Sequence, residues 1–263
     1  MLYKYCTTDG FDILLRHRLK AARRENFNDP FELALGVDDK NATGNVKREC
    51  KKNPSLVDGL ARELDKTKVG HENSENDIIN KSASILTEEL EKGVSAVREY
   101  LKGKGIICLS ESADIIQMWA HYTDNHKGLV IGLDENQVTG NEMELINKVC
   151  YRDEICLLPV TSLKEGTVQY EEIIYDVLKT KESNWKYERE VRLYVNLDEK
   201  DADGNYYVDI PPSSITEIYL GLRSHETSEI IAISIKQREE YNHLKIYKME
   251  RDRYAFKLVP KEL

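Results

Sequence analysis

The chain has 263 residues, of which 32% are charged and 40% hydrophobic. Its formal net charge of −9 argues against an indiscriminate nucleic-acid binder, because phosphate neutralisation requires a basic surface, although it does not exclude a local basic groove. No stretch approaches the roughly 18 uncharged apolar residues of a membrane span, and the first residues do not have the pattern of a signal peptide. The five cysteines contain no Cys-x-x-Cys pair, which predicts neither a disulfide framework nor a thiolate zinc site and favours the cytoplasm.

The N-terminal pattern predicts a strand, a helix and a turn. Leu2–Cys6 is typical of a short strand, and apolar residues from Phe11 to Leu19 follow a helical spacing. Asn28 opens an Asn-Asp-Pro turn between two phenylalanines. The end of the helix is basic, which suits either the helix dipole or a ligand-facing patch. Its cations are Arg16, Arg18, Lys20, Arg23 and Arg24.

The remaining pattern predicts an α+β fold. Residues 41–103 are rich in charge but contain a long amphipathic rhythm, so we interpret them as a helical insertion or subdomain within a single α+β domain spanning residues 1–263. From Gly105 onward, strand and helix patterns alternate, and at least six strands are expected. A clear amphipathic helix is predicted from Tyr170 to Leu178.

One candidate site lies on a predicted strand from Glu188 to Tyr194. Side chains alternate along a strand, so Glu188, Glu190 and Arg192 share one face. Two carboxylates and a guanidinium in one row suit a polar ligand such as a ribose. They equally suit a solvated face whose charges pair with neighbouring strands for ~0.2–1 kcal/mol per pair.

A second candidate site combines a strand end with a helix. Ser110 closes a buried strand, and the following helix is predicted to start with a capping box at Asp114. His121 and Tyr122 offer hydrogen-bonding tips to a ligand, whereas Trp119 is expected to be a core anchor. His121 and His126 are five residues apart and therefore off a common helical face, so no metal site is expected.

Four segments occur in a recognisable order: Tyr3-Lys4-Tyr5, residues 27–32, residues 118–122 with His126-Lys127-Gly128, and residues 187–192. Together they resemble the bacterial domain-of-unknown-function family numbered 2971. The resemblance runs from the N-terminus to about Gly221, and residues 41–103 lie outside it. The family name implies no activity.

The order of parts has a more remote resemblance to ADP-ribosyltransferases. That resemblance implies a mixed sheet core with flanking helices, and NAD as the substrate. Lys4 or Tyr5 would take the place of the first-strand residue that holds NAD, Ser110 or Tyr122 the middle place, and Glu188 or Glu190 the place of the glutamate that bonds the ribose. Related first strands often read His-Tyr-Thr or Tyr-Arg-Ser, so Lys4 is a departure. Asn28, His121 and Arg192 complete the expected NAD-binding set.

The implied activity is a mono-ADP-ribosyltransferase, in the setting of a toxin or phage-defence effector held silent by an inhibitory partner protein. Glu190 and Glu188 are the expected catalytic residues, because breaking the nicotinamide–ribose bond builds positive charge on the sugar. The acceptor is a macromolecule, or water in an NAD glycohydrolase. The alternative is a non-catalytic module that binds a nucleotide or a protein through the same pocket.

Overall fold

The computed structural model describes residues 1–38, 44, 47, 48, 51, 52, 75–138, 144–158, 170–197 and 200–263. The chain divides into two compact units. The first comprises Met1–Glu32, Lys102–Asp153 and Lys179–Leu263, and the second comprises Leu33–Leu101 and Glu154–Leu178. Among the described residues, no helix combines the length and apolar character needed to cross a membrane.

The first unit is built on a mixed sheet, which has eight strands among the described residues, in the order β14-β13-β12-β5-β1-β4-β10-β6. β12 and β13 are parallel, and the other neighbours are antiparallel. The α+β expectation with at least six strands is therefore confirmed. The strands are β1 Leu2–Cys6, β4 Lys104–Ser110, β5 Leu129–Leu133, β6 Glu144–Lys148, β10 Glu190–Asn196, β12 Ile215–Leu220, β13 Lys245–Arg251 and β14 Leu258–Glu262.

Short strand pairs and helices flank this sheet in the first unit. β2 (Arg18–Ala21) pairs with β11 (Tyr206–Asp209), and β7 (Cys150–Arg152) pairs with β9 (Thr180–Glu182). The helices are α1 Phe11–Arg16, α3 Ile116–Tyr122, α4 Glu135–Val138 and α6 Glu226–Lys236.

Successive side chains of a strand point to opposite faces of the sheet. Both faces of this sheet are covered by buried side chains. One face carries the larger apolar core, with residues such as Leu109, Ile131 and Leu193. The other face packs aromatic side chains around Trp119, which is fully buried as expected.

The pairing between β1 and β4 is short. Their ladder has one Cα pair, Tyr3 with Ser110. Beyond it, the Lys4 ammonium donates a hydrogen bond to the Cys108 carbonyl at 3.0 Å. The Lys4 side chain thus bonds to the β4 backbone where further backbone pairing between β1 and β4 would otherwise lie. The candidate site opens at this position.

Three local predictions need correction. The first helix does not reach Leu19: it ends at Arg16, His17 is left-handed (φ 54°), and Arg18 begins β2. Pairing with β11 decides this segment, so helix-end charge does not explain the basic run beyond Arg16. The helix after Ser110 starts at Ile116 without a side-chain cap, so the capping box at Asp114 is wrong.

The third correction concerns the strand that carries the glutamates. Residues Ser183–Glu188 form a 3₁₀ helix, Arg189 is left-handed (φ 47°), and the strand begins at Glu190. Glu188 and Glu190 consequently do not share a strand face. They converge through a bend, as described below.

The second unit contains the helices that amphipathic spacing predicted. α2 spans Glu75–Lys102 and buries Leu90, Val94 and Val97. The predicted helix near residue 170 is also present, as α5 (Tyr170–Lys179). β3 (Leu35–Val37) pairs in parallel with β8 (Cys156–Leu158). Most of the predicted insertion before residue 75 lies outside the described residues.

Candidate functional site

A buried network of charged side chains lies at the start of β10. Lys181 donates to Glu188 Oε2 at 2.6 Å and to Glu190 Oε2 at 2.9 Å. Arg192 donates to Glu190 through Nε (2.9 Å) and Nη2 (3.1 Å), and it forms an ion pair with Glu32 at 2.8 Å. All five side chains are at most 4% exposed, so water screens these pairs weakly. With three carboxylates against two cations, the formal charge of the network is −1.

Local backbone geometry places these groups. Ser110 is fully buried, and its hydroxyl donates a hydrogen bond to the Glu188 carbonyl at 2.7 Å. The Glu111 amide donates to the Arg189 carbonyl. These bonds hold the bend between the 3₁₀ helix and β10. The Glu190 amide in turn donates to the Tyr151 hydroxyl at 2.8 Å.

The Asn-Asp-Pro turn supplies the other edge of the network. The buried Asp29 carboxylate accepts the Phe31 amide, and the Asp29 carbonyl accepts the Glu32 amide, which aims Glu32 at Arg192. Asn28 donates to the Tyr122 hydroxyl at 3.1 Å, and Tyr122 donates to Glu188 Oε1 at 2.6 Å. Residues from three separate motifs of the sequence therefore join one hydrogen-bonded network.

The network shifts the proton affinities of its members. Burial alone would raise the pKa of Glu190, but Arg192 and Lys181 outweigh it and lower that pKa to about 2. Burial raises the pKa of Glu32 despite the attraction of Arg192. Burial and the neighbouring Glu188 raise the pKa of Tyr122. The phenol therefore stays protonated at neutral pH and can donate its hydrogen bond to Glu188. Glu190 is consequently ionised at every pH except a strongly acidic one.

A cavity of about 350 Å³ opens beside this network. Both predicted catalytic glutamates, Glu188 and Glu190, line it, together with Lys181. Its remaining lining includes the aromatic rings of Tyr3, Tyr5, Phe27 and Tyr122. The predicted binding residues that line it are Lys4, Tyr5, Asn28, His121 and Tyr122.

Two predicted binding residues are placed differently. Ser110 does not line the cavity and instead positions the Glu188 backbone, as described above. Arg192 also lies behind the wall, where it holds Glu190 and Glu32. His121 is exposed at the rim, with Nδ1 3.2 Å from the Tyr187 hydroxyl. Among the described residues, no cluster of histidine, cysteine or acidic side chains is arranged to hold a metal ion.

A second cavity, of about 830 Å³, adjoins the first. Lys4, Tyr5, Ala22 and Tyr122 line both cavities. Four cations and four aspartates line the larger one, so its lining is charged but close to neutral. These are Lys4, Arg16, Arg18 and Lys20, with Asp9, Asp12, Asp201 and Asp203.

Sequence reasoning missed Lys181, Glu32 and Tyr151. Glu32 lies within the recognised segment 27–32, but the pattern of that segment predicted a turn and gave no sign of an ion pair with Arg192. Lys181 precedes the strand by nine residues and gave no signal, because its contacts depend on the 3₁₀ bend between it and Glu190.

Removing the Tyr122 hydroxyl should weaken the network. Tyr122→Phe loses a hydrogen bond to a charged group, and we expect the free energy of unfolding to fall by about 1.5–3 kcal/mol in urea titration. Tyr254→Phe is the matched control, because that side chain is 96% exposed; its change should stay within about 0.5 kcal/mol. Equal losses in the two variants would show that the Tyr122–Glu188 contact contributes nothing specific.

The first unit is thus an α+β structure with a cavity against a buried carboxylate–cation network. Residues 118–193 match a family model described as a protein of unknown function (DUF2971). The sequence-based recognition of that family is confirmed over this segment, which contains Tyr122, Glu188 and Glu190; the N-terminal motifs lie outside it. Searches of curated proteins and of solved structures found no match.

Proposed function

We propose that the paired cavities bind NAD and that the chain is an ADP-ribosyltransferase-like protein with its catalytic centre at Glu188 and Glu190. The observation that carries the proposal is that both glutamates, and the first-strand residues Lys4 and Tyr5, line one cavity. Carboxylates stabilise a sugar cation, and an aromatic wall suits a flat nicotinamide ring.

The dimensions support a dinucleotide. Cavities of about 350 and 830 Å³ share a wall, and ligand sites typically measure ~300–1,000 Å³. In the proposed arrangement, the nicotinamide riboside occupies the smaller cavity and the adenylate half extends into the larger one. Lys4 lines both cavities, and in this arrangement it would be the cation that contacts the diphosphate between the two halves.

The proposed reaction breaks the bond between ribose C1′ and the nicotinamide nitrogen. The bonding electron pair leaves with nicotinamide, and the ribose becomes cationic. The net negative network beside the cavity stabilises that charge, with Glu190 ionised throughout. A lone pair of the acceptor then forms the new bond to C1′, and the proton of the acceptor passes to Glu188 or to solvent.

Incubation with NAD tests this proposal directly. We expect the purified chain to release nicotinamide, detected chromatographically, and Glu190→Gln to lower the rate about 100-fold, because a fixed charge facing the transition state is lost. Glu188→Gln should also lower it. Glu250→Gln is the matched control, since that carboxylate is 49% exposed in a surface pair with Lys261.

Thermal melting of each variant separates loss of chemistry from loss of fold. Unchanged NAD with every candidate acceptor, protein, nucleic acid and water alike, would overturn the enzymatic proposal. If the chain is a toxin or defence effector, its expression should slow growth, and Glu190→Gln should remove that effect.

A second candidate function is a non-catalytic nucleotide-binding module. The observation favouring it is that Lys181 already forms ion pairs with both glutamates, at 2.6 and 2.9 Å. Calorimetry distinguishes the two functions: saturable binding of NAD or ADP-ribose without nicotinamide release supports the module.

A further inference from the structure

The turn between β13 and β14 carries two aromatic rings in solvent. Tyr254 is 96% exposed and Phe256 is 105% exposed. The turn lies at the end of the hairpin that forms one edge of the eight-stranded sheet. Neither residue lines either cavity, so this feature is separate from the proposed catalytic site.

The turn has a defined geometry. The Asp252 carboxylate accepts hydrogen bonds from the Tyr254 and Ala255 amides, each at 2.8 Å. The Asp252 amide donates to the Lys257 carbonyl at 3.1 Å, and the Lys257 amide donates to the Ala255 carbonyl at 2.8 Å. The two rings are therefore presented from a backbone that is already ordered, which reduces the entropy lost on binding.

The same segment is basic within an acidic protein. Residues 245–263 contain six Lys and Arg against three Asp and Glu, a formal charge of +3, whereas the whole chain is −9. Arg251, Arg253 and Lys257 are exposed beside the rings. We call Arg251, Arg253, Tyr254, Phe256 and Lys257 the aromatic–basic tip.

We propose that the aromatic–basic tip binds single-stranded nucleic acid. Flat rings spaced along a chain of cations complement the alternation of bases and phosphates in a single strand. The bases stack on Tyr254 and Phe256, and the phosphates contact Arg251, Arg253 and Lys257. An acidic peptide would satisfy the cations but would offer no ring faces, and two rings bury little apolar area in a bilayer.

Fluorescence anisotropy with the full chain and a labelled oligonucleotide of about 12 bases tests the proposal. We expect saturable binding that weakens at least tenfold in Tyr254→Ala/Phe256→Ala. For three phosphate contacts, the slope of log affinity against log salt should be about −2. Arg253→Gln/Lys257→Gln should flatten that slope. Ile230→Ala on α6 is the matched control, because it removes a 61% exposed apolar side chain elsewhere, and it should bind as the unmodified chain does.

Three outcomes would overturn the proposal: no binding of the oligonucleotide, equal binding by the Tyr254/Phe256 variant, or binding with no dependence on salt. Vesicles containing anionic lipid form a parallel arm. If they bind the chain while the oligonucleotide does not, and the same aromatic variant abolishes that binding, the tip is a membrane contact instead. The outcome is independent of NAD turnover, since no residue of the tip lines the cavities.

Discussion

Replacing Arg192 with methionine is expected to lower the free energy of unfolding by about 3–5 kcal/mol. Arg192 is completely buried and holds Glu190 through two hydrogen bonds and Glu32 through an ion pair. Without it, three buried carboxylates share Lys181 as their remaining cation in the network. Urea unfolding at neutral pH measures the change.

Two further variants show where this stability originates. Arg192→Lys keeps the charge but not the planar fork, so we expect an intermediate loss. Lys127→Met removes a cation from a surface pair whose side chains are 56% and 57% exposed, and it should cost at most about 1 kcal/mol. A loss for Arg192→Met no larger than that of Lys127→Met would contradict the buried-network interpretation.

Glu190 should make the fold sensitive to acid. Its pKa falls from an ordinary value of 4.5 to about 2 in the folded protein. Because the folded-state pKa is depressed, the stabilisation is fully present above pH 4.5 and disappears as the pH falls from 4.5 to about 2. The group contributes about 3 kcal/mol in total, of which about 2 kcal/mol should be lost between pH 6 and pH 3.

Comparison with Glu190→Gln isolates this contribution. The variant should lose about 2 kcal/mol less than the unmodified chain between pH 6 and pH 3, even though it is less stable at pH 6. Glu32 acts in the opposite sense: burial raises its pKa, so its contribution to stability is fully present below its unfolded pKa and declines as the pH rises through the folded one. Identical pH profiles for the unmodified chain and Glu190→Gln would refute the depressed pKa.

Regular periodicity was sufficient to predict many elements of the fold. The spacing of apolar residues predicted β1, β4, α2 and α5 because these segments bury a continuous face or stripe. The same reasoning failed at Leu19, where an apolar residue in helical register lies on β2. Pairing between β2 and β11 is a contact between residues almost two hundred positions apart, and no local pattern reports it.

The candidate site shows the same division. Glu188, Glu190 and Tyr122 were assigned to the site through the resemblance to ADP-ribosyltransferases, since their types and spacing alone left a solvated or structural role open, and they line one cavity. The reason assumed for Glu188 and Glu190, a shared strand face, was wrong, since the 3₁₀ helix and the left-handed Arg189 bring them together. Ser110 was also predicted as a binding residue, and its hydroxyl instead fixes that bend.

The −9 charge and the composition determined that this chain has an acidic surface overall, and its periodicity determined an α+β fold. Composition and periodicity describe averages and local repeats, so they report neither which charges are buried nor which face one another. The tertiary structure decided that Lys181 and Arg192 form ion pairs with the glutamates beside the cavity and that the ladder between β1 and β4 is reduced to one pair where the cavity opens. It also decided that the basic residues of the last hairpin surround two exposed rings. The physical reason is that each of these features depends on strand pairing and on burial, which only the folded chain creates.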